Sequence, residues 1–426
     1  MIYKLTKKKN LKGEISVSSD KSISHRSVMF GSIANGTTEI NNFLRGEDCL
    51  STISCFRKLG IEIETHNDSI LIHGKGLHGL SAPTEILDVG NSGTTARLIS
   101  GILAGQPFES TLTGDASIKK RPMKRIIEPL SKMNAYFNCL ENEGMLPYLI
   151  KGNKLKGVHI NSNIASAQVK SAILLAGLYA DSPTTTCEPY LSRNHTEILL
   201  KAFGADIVCQ GTATTISPNP VLEGQRVIVP GDISSASYFI AAGLLVEGSE
   251  ILLKNVGINP TRAGIIEVAK LMGGDITITD SKYVCGELVA DILVRSSNLK
   301  GVTIEGSLIP TLIDEIPIIA IMAAFATGTT TINDAKELRV KETNRIDTVV
   351  NYLSNAGCDI KAKEDGMIIN GGNTLHGIEV DSLMDHRLAM SFTILGLLSE
   401  GEMTINNSEI VAISYPDFYK DLESLY

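Results

Sequence analysis

Two carboxylates lie among cations in the C-terminal half of this sequence. Asp314 opens an apolar run, and Glu342 sits between Lys341 and Arg345. A carboxylate among cations stays ionised and can accept a proton, whereas a partly desolvated one can donate it. Other basic residues gather beside further apolar runs. They are Lys21 and Arg26 around Ser22, the dense stretch Lys119, Lys120, Arg121, Lys124 and Arg125, then Arg193 and Arg387. Helix N-termini carry free amides and partial positive charge, so cations beside them make anion sites. These residues suit proton transfer on a small, highly anionic ligand bearing phosphate and carboxylate groups. Plainer readings stand beside that one. Asp314 can be a simple helix cap, and Lys119 to Arg125 can be a solvated helix face. Asn91-Ser92-Gly93-Thr94-Thr95 has the look of a Gly-rich phosphate loop but lacks the Walker spacing and its lysine.

The elements that must position these groups come from one repeated unit. A tripeptide recurs six times: Leu11-Lys12-Gly13, Leu77-His78-Gly79, Leu155-Lys156-Gly157, Leu222-Glu223-Gly224, Leu299-Lys300-Gly301 and Leu375-His376-Gly377. The intervals are 66, 78, 67, 77 and 76 residues. After each tripeptide come a β-rich stretch, a polar cluster at a helix N-cap position, an apolar helix-length run, a turn and a Thr-rich strand. In five of the polar clusters Ser, Thr or Asp can satisfy first-turn amides. A more polar helix follows, ending at Gly60, Asn134, Gly204, Gly273 and Gly357, residues suited to a left-handed C-cap. The unit reads β-α-β-α-β-β. The 51 residues after Leu375 and the 10 before Leu11 make nearly one more unit, so the sixth repeat is split between the chain ends.

At 426 residues the chain exceeds a single core, and two α/β domains of three repeats each are expected. If the N-terminus completes the last repeat, one domain is discontinuous, residues 1–19 with 226–426, and residues 20–225 form a continuous insert. Seven cysteines without paired spacing argue for free thiols in a reducing compartment. The longest apolar run, about Ile316 to Ala326, is too short to span a bilayer, so the expectation is a soluble cytoplasmic protein with no membrane contact. The formal charge of −8 disfavours nucleic acid as a partner. The eight histidines are scattered without ligand spacing, so neither metal nor cofactor is expected.

Eight ordered motifs carry a closer likeness. They are Asp20-Lys21-Ser22-Ile23-Ser24-His25-Arg26, Gly90-Asn91-Ser92-Gly93-Thr94-Thr95-Ala96-Arg97, Arg121-Pro122-Met123, Ser166-Ala167-Gln168, Arg193-Asn194-His195-Thr196-Glu197, Asp314-Glu315-Ile316-Pro317, Arg339-Val340-Lys341-Glu342-Thr343-Asn344-Arg345 and Asp385-His386-Arg387. Together they resemble the 5-enolpyruvylshikimate-3-phosphate synthase family along the whole chain. The resemblance implies a two-domain enolpyruvyl-transferase fold, an inside-out α/β barrel with the hinge crossed twice, acting as a monomer that closes over its substrates. It implies transfer of the enolpyruvyl group of phosphoenolpyruvate to shikimate 3-phosphate, with release of phosphate. By motif, Lys21, Ser22, Arg26, Ser166, Gln168, Ser192, Arg193, Asp314 and Lys341 hold shikimate 3-phosphate. Lys21, Gly93, Arg121, Gln168, Arg345 and Arg387 hold phosphoenolpyruvate. Asp314, Glu342 and Lys21 are the catalytic groups.

Two positions depart from the family pattern. Ala167 replaces a second serine before Gln168, and Ile413-Ser414-Tyr415-Pro416 lacks a lysine that many members carry. Both departures resemble a divergent bacterial class. An enolpyruvyl transferase acting on UDP-N-acetylglucosamine is the nearest rival, but it carries cysteine where Asp115 stands and Lys-Asn where Lys21-Ser22 stands. A non-catalytic anion-binding repeat protein would not need the placement of Asp314 and Glu342.

Overall fold

A computed structural model describes residues 1–67 and 69–426. The strands form six separate sheets, five of four strands and one of three. One sheet shows the common plan. Leu87–Asp88 runs parallel to Glu109–Thr113 across the helix Gly93–Ala104. Tyr148–Lys151 then lies antiparallel between Glu109–Thr113 and Tyr136–Cys139. A parallel pair needs a long crossover, which the apolar helix supplies, and the antiparallel pairs follow from a hairpin. This is the β-α-β-α-β-β unit of the repeats. The sheets are open among the described residues, so no closed barrel is present where an inside-out barrel was expected.

The recurring tripeptide has a steric cause. All six of its leucines are buried. At Gly157, Gly224, Gly301 and Gly377 an added Cβ would lie 2.3–2.4 Å from a carbonyl oxygen of Ser182, Thr37, Thr329 and Glu402 respectively. A side chain there would push the first strand of a unit off the second. Gly60, Asn134, Gly204, Gly273 and Gly357 all take positive φ, between 74° and 105°, as the C-cap reading predicts.

Six apolar helices fill the cores. Lys21–Ile33, Gly93–Ala104 and Ala167–Gly177 share one core, and Ile233–Leu245, Ile316–Phe325 and His386–Gly396 share another. Ile316–Phe325 buries nine of its ten residues, as a helix that is apolar on all sides must. Asp20, Ser92, Asp232 and Asp385 cap four of the six through side-chain bonds. Ser166 and Glu315 occupy the other two N-cap positions without such a bond. Asp314 therefore stands one residue before the cap and is not the helix cap that its sequence position allows.

The chain ends complete the repeats. Ile2–Thr6 pairs antiparallel with Glu402–Asn406, and Lys12–Ile15 pairs parallel with Glu250–Gly257. The last sheet keeps three strands because Ser408–Ile413 and Phe418–Glu423 turn helical where a hairpin would stand. Two compact units result, Met1–Ser18 with Pro230–Tyr283 and Leu288–Tyr426, and Ser19–Val229 with Val284–Glu287. The boundaries differ from expectation at three places, the first a one-residue shift that gives Ser19 to the inserted unit. The division after residue 225 moves to Val229, because Arg226–Ile228 pairs with Asn35–Asn41. Residues Val284–Glu287 group with the unit of His195, whose Nδ1 lies 2.7 Å from Glu287 Oε1. The chain thus passes between units at four points rather than two. Among the described residues no single helix is long and apolar enough to cross a membrane.

Candidate active site

In the unit Ser19–Val229, three helix starts gather the predicted residues. Lys21 opens its helix beyond the Asp20 cap, and its Nζ lies 3.0 Å from Asp48 Oδ2. Arg26, one turn on, is buried. Its Nε donates to Thr196 Oγ1 at 2.7 Å, Nη2 to Ser171 Oγ at 2.9 Å and Nη1 to the Ser22 carbonyl at 3.0 Å. Burial lowers its pKa to about 10, against the pull of Glu197 and Asp20. Arg26 thus ties the Ser22 carbonyl to Ser171 and Thr196, a role its sequence position does not reveal.

Gly93 starts the second helix. An added Cβ would lie 2.8 Å from Arg97 Nη1 and 3.5 Å from Arg121 Nη1, so the missing side chain is what lets two guanidinium groups converge. Arg97 Nη1 donates to Gln168 Oε1 at 2.5 Å, and Gln168 Nε2 donates to Thr94 Oγ1 at 3.2 Å. Arg121 Nη2 donates to Ser117 Oγ at 3.2 Å. Gly93, Arg97, Arg121 and Gln168 therefore form one group. Sequence reasoning quoted Arg97 in a motif but gave it no role, although its i+4 spacing from Gly93 puts both on one helix face.

Ser166 and Ser192 meet through a residue the sequence reading passed over. Glu188 accepts from the Ser166 amide at 2.9 Å and from Ser192 Oγ at 2.6 and 2.8 Å. Lys170 Nζ lies 3.0 Å from Glu188 and 2.7 Å from Glu197, all three side chains being at most 4% exposed. Arg193 follows Ser192 directly and lies close enough to Arg26 to depress its pKa further. Two of the five residues of the dense basic stretch make ordinary surface pairs: Lys124 with the exposed Glu143 and Lys119 with Glu141.

The other unit holds the second cluster. Asp314 Oδ1 lies 3.4 Å from Lys341 Nζ and 3.5 Å from Arg345 Nη1, and its Oδ2 lies 3.9 Å from Arg387 Nη2. Arg345 is 1% exposed. It donates to both oxygens of Asp385, at 2.8 and 3.1 Å, and to Glu342 Oε2 at 2.7 Å. Burial opposes its charge, but Asp385 and Glu342 outweigh that cost and raise its pKa. Arg387 Nη1 donates to the Asp314 carbonyl at 3.2 Å and to Glu315 Oε1 at 3.3 Å. Its pKa is likewise raised, Asp314 and other anions overcoming burial. Asp385 and Glu315 were missed as partners because each sits at a helix start, where capping explains an acid without a further role.

Asp314, Glu342, Lys341, Arg345 and Arg387 are thus brought together, with Asp314 ringed by three cations. Such a carboxylate can take a proton from a bound hydroxyl, and the guanidinium groups can fork to carboxylate or phosphate. Outside both clusters, ligand atoms of Glu62, Glu64 and His73 come within 4.8 Å on a hairpin. Glu62 and Glu64 are exposed there, an arrangement that surface carboxylates commonly make without a metal.

Over residues 5–422 the chain matches the family model described as EPSP synthase (3-phosphoshikimate 1-carboxyvinyltransferase). It is 57% identical over 425 residues to a 3-phosphoshikimate 1-carboxyvinyltransferase of Thermoanaerobacter sp. (strain X514), with 100% of each chain covered. It is 53% identical over 421 residues to the protein of that name from Bacillus cytotoxicus, with 99% of each covered. The structure of EPSP synthase from Acinetobacter baumannii matches with a TM-score of 0.89 at 44% identity, over 100% of this chain and 98% of that one. The enolpyruvyl transferase NikO from Streptomyces tendae matches with a TM-score of 0.82 over 100% and 97% of the two chains. At 18% identity that likeness speaks to fold alone.

Proposed function

The chain belongs to the EPSP synthase family, and we propose how its two clusters divide the reaction of a 3-phosphoshikimate 1-carboxyvinyltransferase between them. The enzyme moves the enolpyruvyl group of phosphoenolpyruvate to the 5-hydroxyl of shikimate 3-phosphate, a step of the shikimate pathway to chorismate and the aromatic amino acids. The hydroxyl oxygen adds to C2 of phosphoenolpyruvate while a proton is delivered to C3, giving a tetrahedral ketal phosphate. Loss of the C3 proton and of inorganic phosphate then restores the double bond. One base and one acid are needed, each reversing its sense in the second half.

Asp314 takes the hydroxyl proton, and the observation that carries this reading is its place among Lys341, Arg345 and Arg387 at 3.4–3.9 Å. Cations on that side keep the carboxylate ionised and ready to accept. Glu342 and Lys21 serve proton transfer at C3. Lys341 neutralises charge on the shikimate side, and Arg345 and Arg387 hold the carboxylate and phosphate of phosphoenolpyruvate. Gly93, Arg121 and Gln168 supply the rest of that contact, joined by Arg97. Lys21, Ser22, Arg26, Ser166, Gln168, Ser192 and Arg193 hold shikimate 3-phosphate, and Arg26 also braces the Ser22 backbone. No resident metal or cofactor enters any step. The protein works as a monomer in the cytoplasm, which sedimentation and fractionation test.

The experiment that tests the reaction is phosphate release from phosphoenolpyruvate with each acceptor in turn. Release with shikimate 3-phosphate and none with UDP-N-acetylglucosamine is expected. The reverse pattern would transfer the chain to the rival activity.

A further inference from the structure

We propose that Glu188, a buried acid with no part in the chemistry, is the positioning residue that sets the affinity for shikimate 3-phosphate. The inference rests on the reading that Ser166 and Ser192 hold that substrate. Ser166 and Ser192 are 26 residues apart and belong to different segments of the unit, so something must fix their spacing. A single carboxylate does so. Its Oε1 accepts from both the Ser166 amide and Ser192 Oγ, and its Oε2 accepts from Ser192 Oγ at 2.8 Å and the Ser192 amide at 3.3 Å. Ser166 stands at an N-cap position yet makes no side-chain bond to its helix, so its hydroxyl is not committed there.

The ion pair beneath makes the clamp rigid. Lys170 Nζ holds Glu188 at 3.0 Å and also donates to the Ser192 carbonyl at 3.2 Å, from within the same helix that Ser166 begins. Buried ion pairs contribute little net stability but hold geometry, because departure leaves an uncompensated charge. Replacing Glu188 by glutamine leaves Lys170 balanced by Glu197 at 2.7 Å, so the fold should survive the loss of one charge. What is lost is the Oε2 side of the clamp. A glutamine oxygen in the place of Oε1 can still accept from Ser166 and Ser192, but its NH2 then faces the Ser192 amide and Lys170 Nζ, both donors, and pushes the segment of Ser192 away.

The test is steady-state kinetics of E188Q, E188D, S192A and the double variant E188Q/S192A in the full-length protein. E188Q should raise KM for shikimate 3-phosphate at least tenfold, keep KM for phosphoenolpyruvate within threefold, and leave kcat within threefold. E188D retains the charge for Lys170 but is one methylene too short to reach both serines. It should show the same split, smaller, and carries the test if E188Q does not fold. Because Glu188 acts through Ser192, the double variant should be no worse than the poorer single. Equal loss in both KM values, an unchanged KM for shikimate 3-phosphate, or fully additive losses would overturn the inference while the unaltered enzyme still turned over. An unaltered chain that released no phosphate with this acceptor would overturn the functional reading and this inference together.

Discussion

Several arginines of the two charged clusters donate to different kinds of oxygen, although Lys21 of the first also pairs with the carboxylate of Asp48. Arg26 donates to Thr196, Ser171 and the Ser22 carbonyl, Arg97 to Gln168 and the Pro122 carbonyl, and Arg121 to Ser117, each a neutral acceptor. Arg345 and Arg387 donate to the carboxylates of Asp385, Glu342 and Glu315. A guanidinium held by neutral acceptors keeps its charge for an incoming anion. One held by carboxylates forms a neutralised pair and keeps those carboxylates ionised. Under the proposed roles the first cluster chiefly binds, with Lys21 shared, and the second adds carboxylates for proton transfer to its own anion-binding arginines, although both read as basic patches when only cations are counted along the chain.

The sharpest way to break this comparison is at Asp314. Asp314→Asn keeps the shape and removes the base, so kcat should fall by about 10²–10⁴-fold. Binding of shikimate 3-phosphate, followed by calorimetry, should stay within threefold of normal. Near-normal turnover would return Asp314 to a purely electrostatic role.

Asp385 tests the other half of the contrast, because it balances an arginine 1% exposed. Asp385→Asn strands part of the Arg345 charge in the interior and should cost about 3–5 kcal/mol of stability, read from urea unfolding. Gln168→Met removes a neutral partner of Arg97 and should cost only about 1 kcal/mol. Equal costs would erase the distinction between the clusters.

The sequence displays some of this arrangement openly and conceals the rest for physical reasons. The repeats are legible because successive units demand the same close strand approach, at Gly157, Gly224, Gly301 and Gly377 against a carbonyl oxygen, and bury the same leucine, so one need is written into the chain repeatedly. The helix ends are legible because left-handed C-caps select Gly or Asn within a residue of the helix. The partners Glu188 for Ser192, Asp385 for Arg345 and Thr196 for Arg26 are set by tertiary approach across 4, 40 and 170 residues, for which no spacing rule exists. Even the four-residue case escapes notice, since Ser192 lies outside a helix and i,i+4 logic does not apply. Asp314 shows the opposite failure. Its position before an apolar helix suggested a cap, and only the neighbours brought in by Lys341, Arg345 and Arg387 reveal why an acid stands there.

Arg121 probes the binding side. Arg121→Ala removes a guanidinium that converges with Arg97 above Gly93, and should raise KM for phosphoenolpyruvate by about 10–100-fold with a smaller fall in kcat. The thermal midpoint should move far less than it does on loss of Asp385, because the bond to Ser117 that is lost has a neutral acceptor. A fall in kcat with unchanged KM would place Arg121 with the proton-transfer groups instead.

The last expected effect, a change of slope and not of activity, concerns how acid should strike the binding side. His25 is fully buried one residue before Arg26, its Nδ1 lying 2.7 Å from Thr52 Oγ1, which continues through Thr95 to the Ser92 cap of the Gly93 helix. Burial lowers its pKa to about 3, with Asp48 only partly compensating. The unfolded chain therefore takes up a proton near the ordinary value of 6.5, while the folded one remains neutral until about pH 3. Stability from this group is complete above pH 6.5 and is lost as pH falls toward 3, by about 1.4 kcal/mol per unit in that window. His25→Gln keeps a hydrogen-bonding group for Thr52 but cannot take up the proton. Unfolding free energies measured from pH 7 to pH 5 should therefore fall less steeply in the variant, by close to one proton's worth of slope. Parallel slopes would mean that the buried ring meets acid without penalty, and that the neutral network under the binding cluster is no more acid-sensitive than the carboxylate-balanced one.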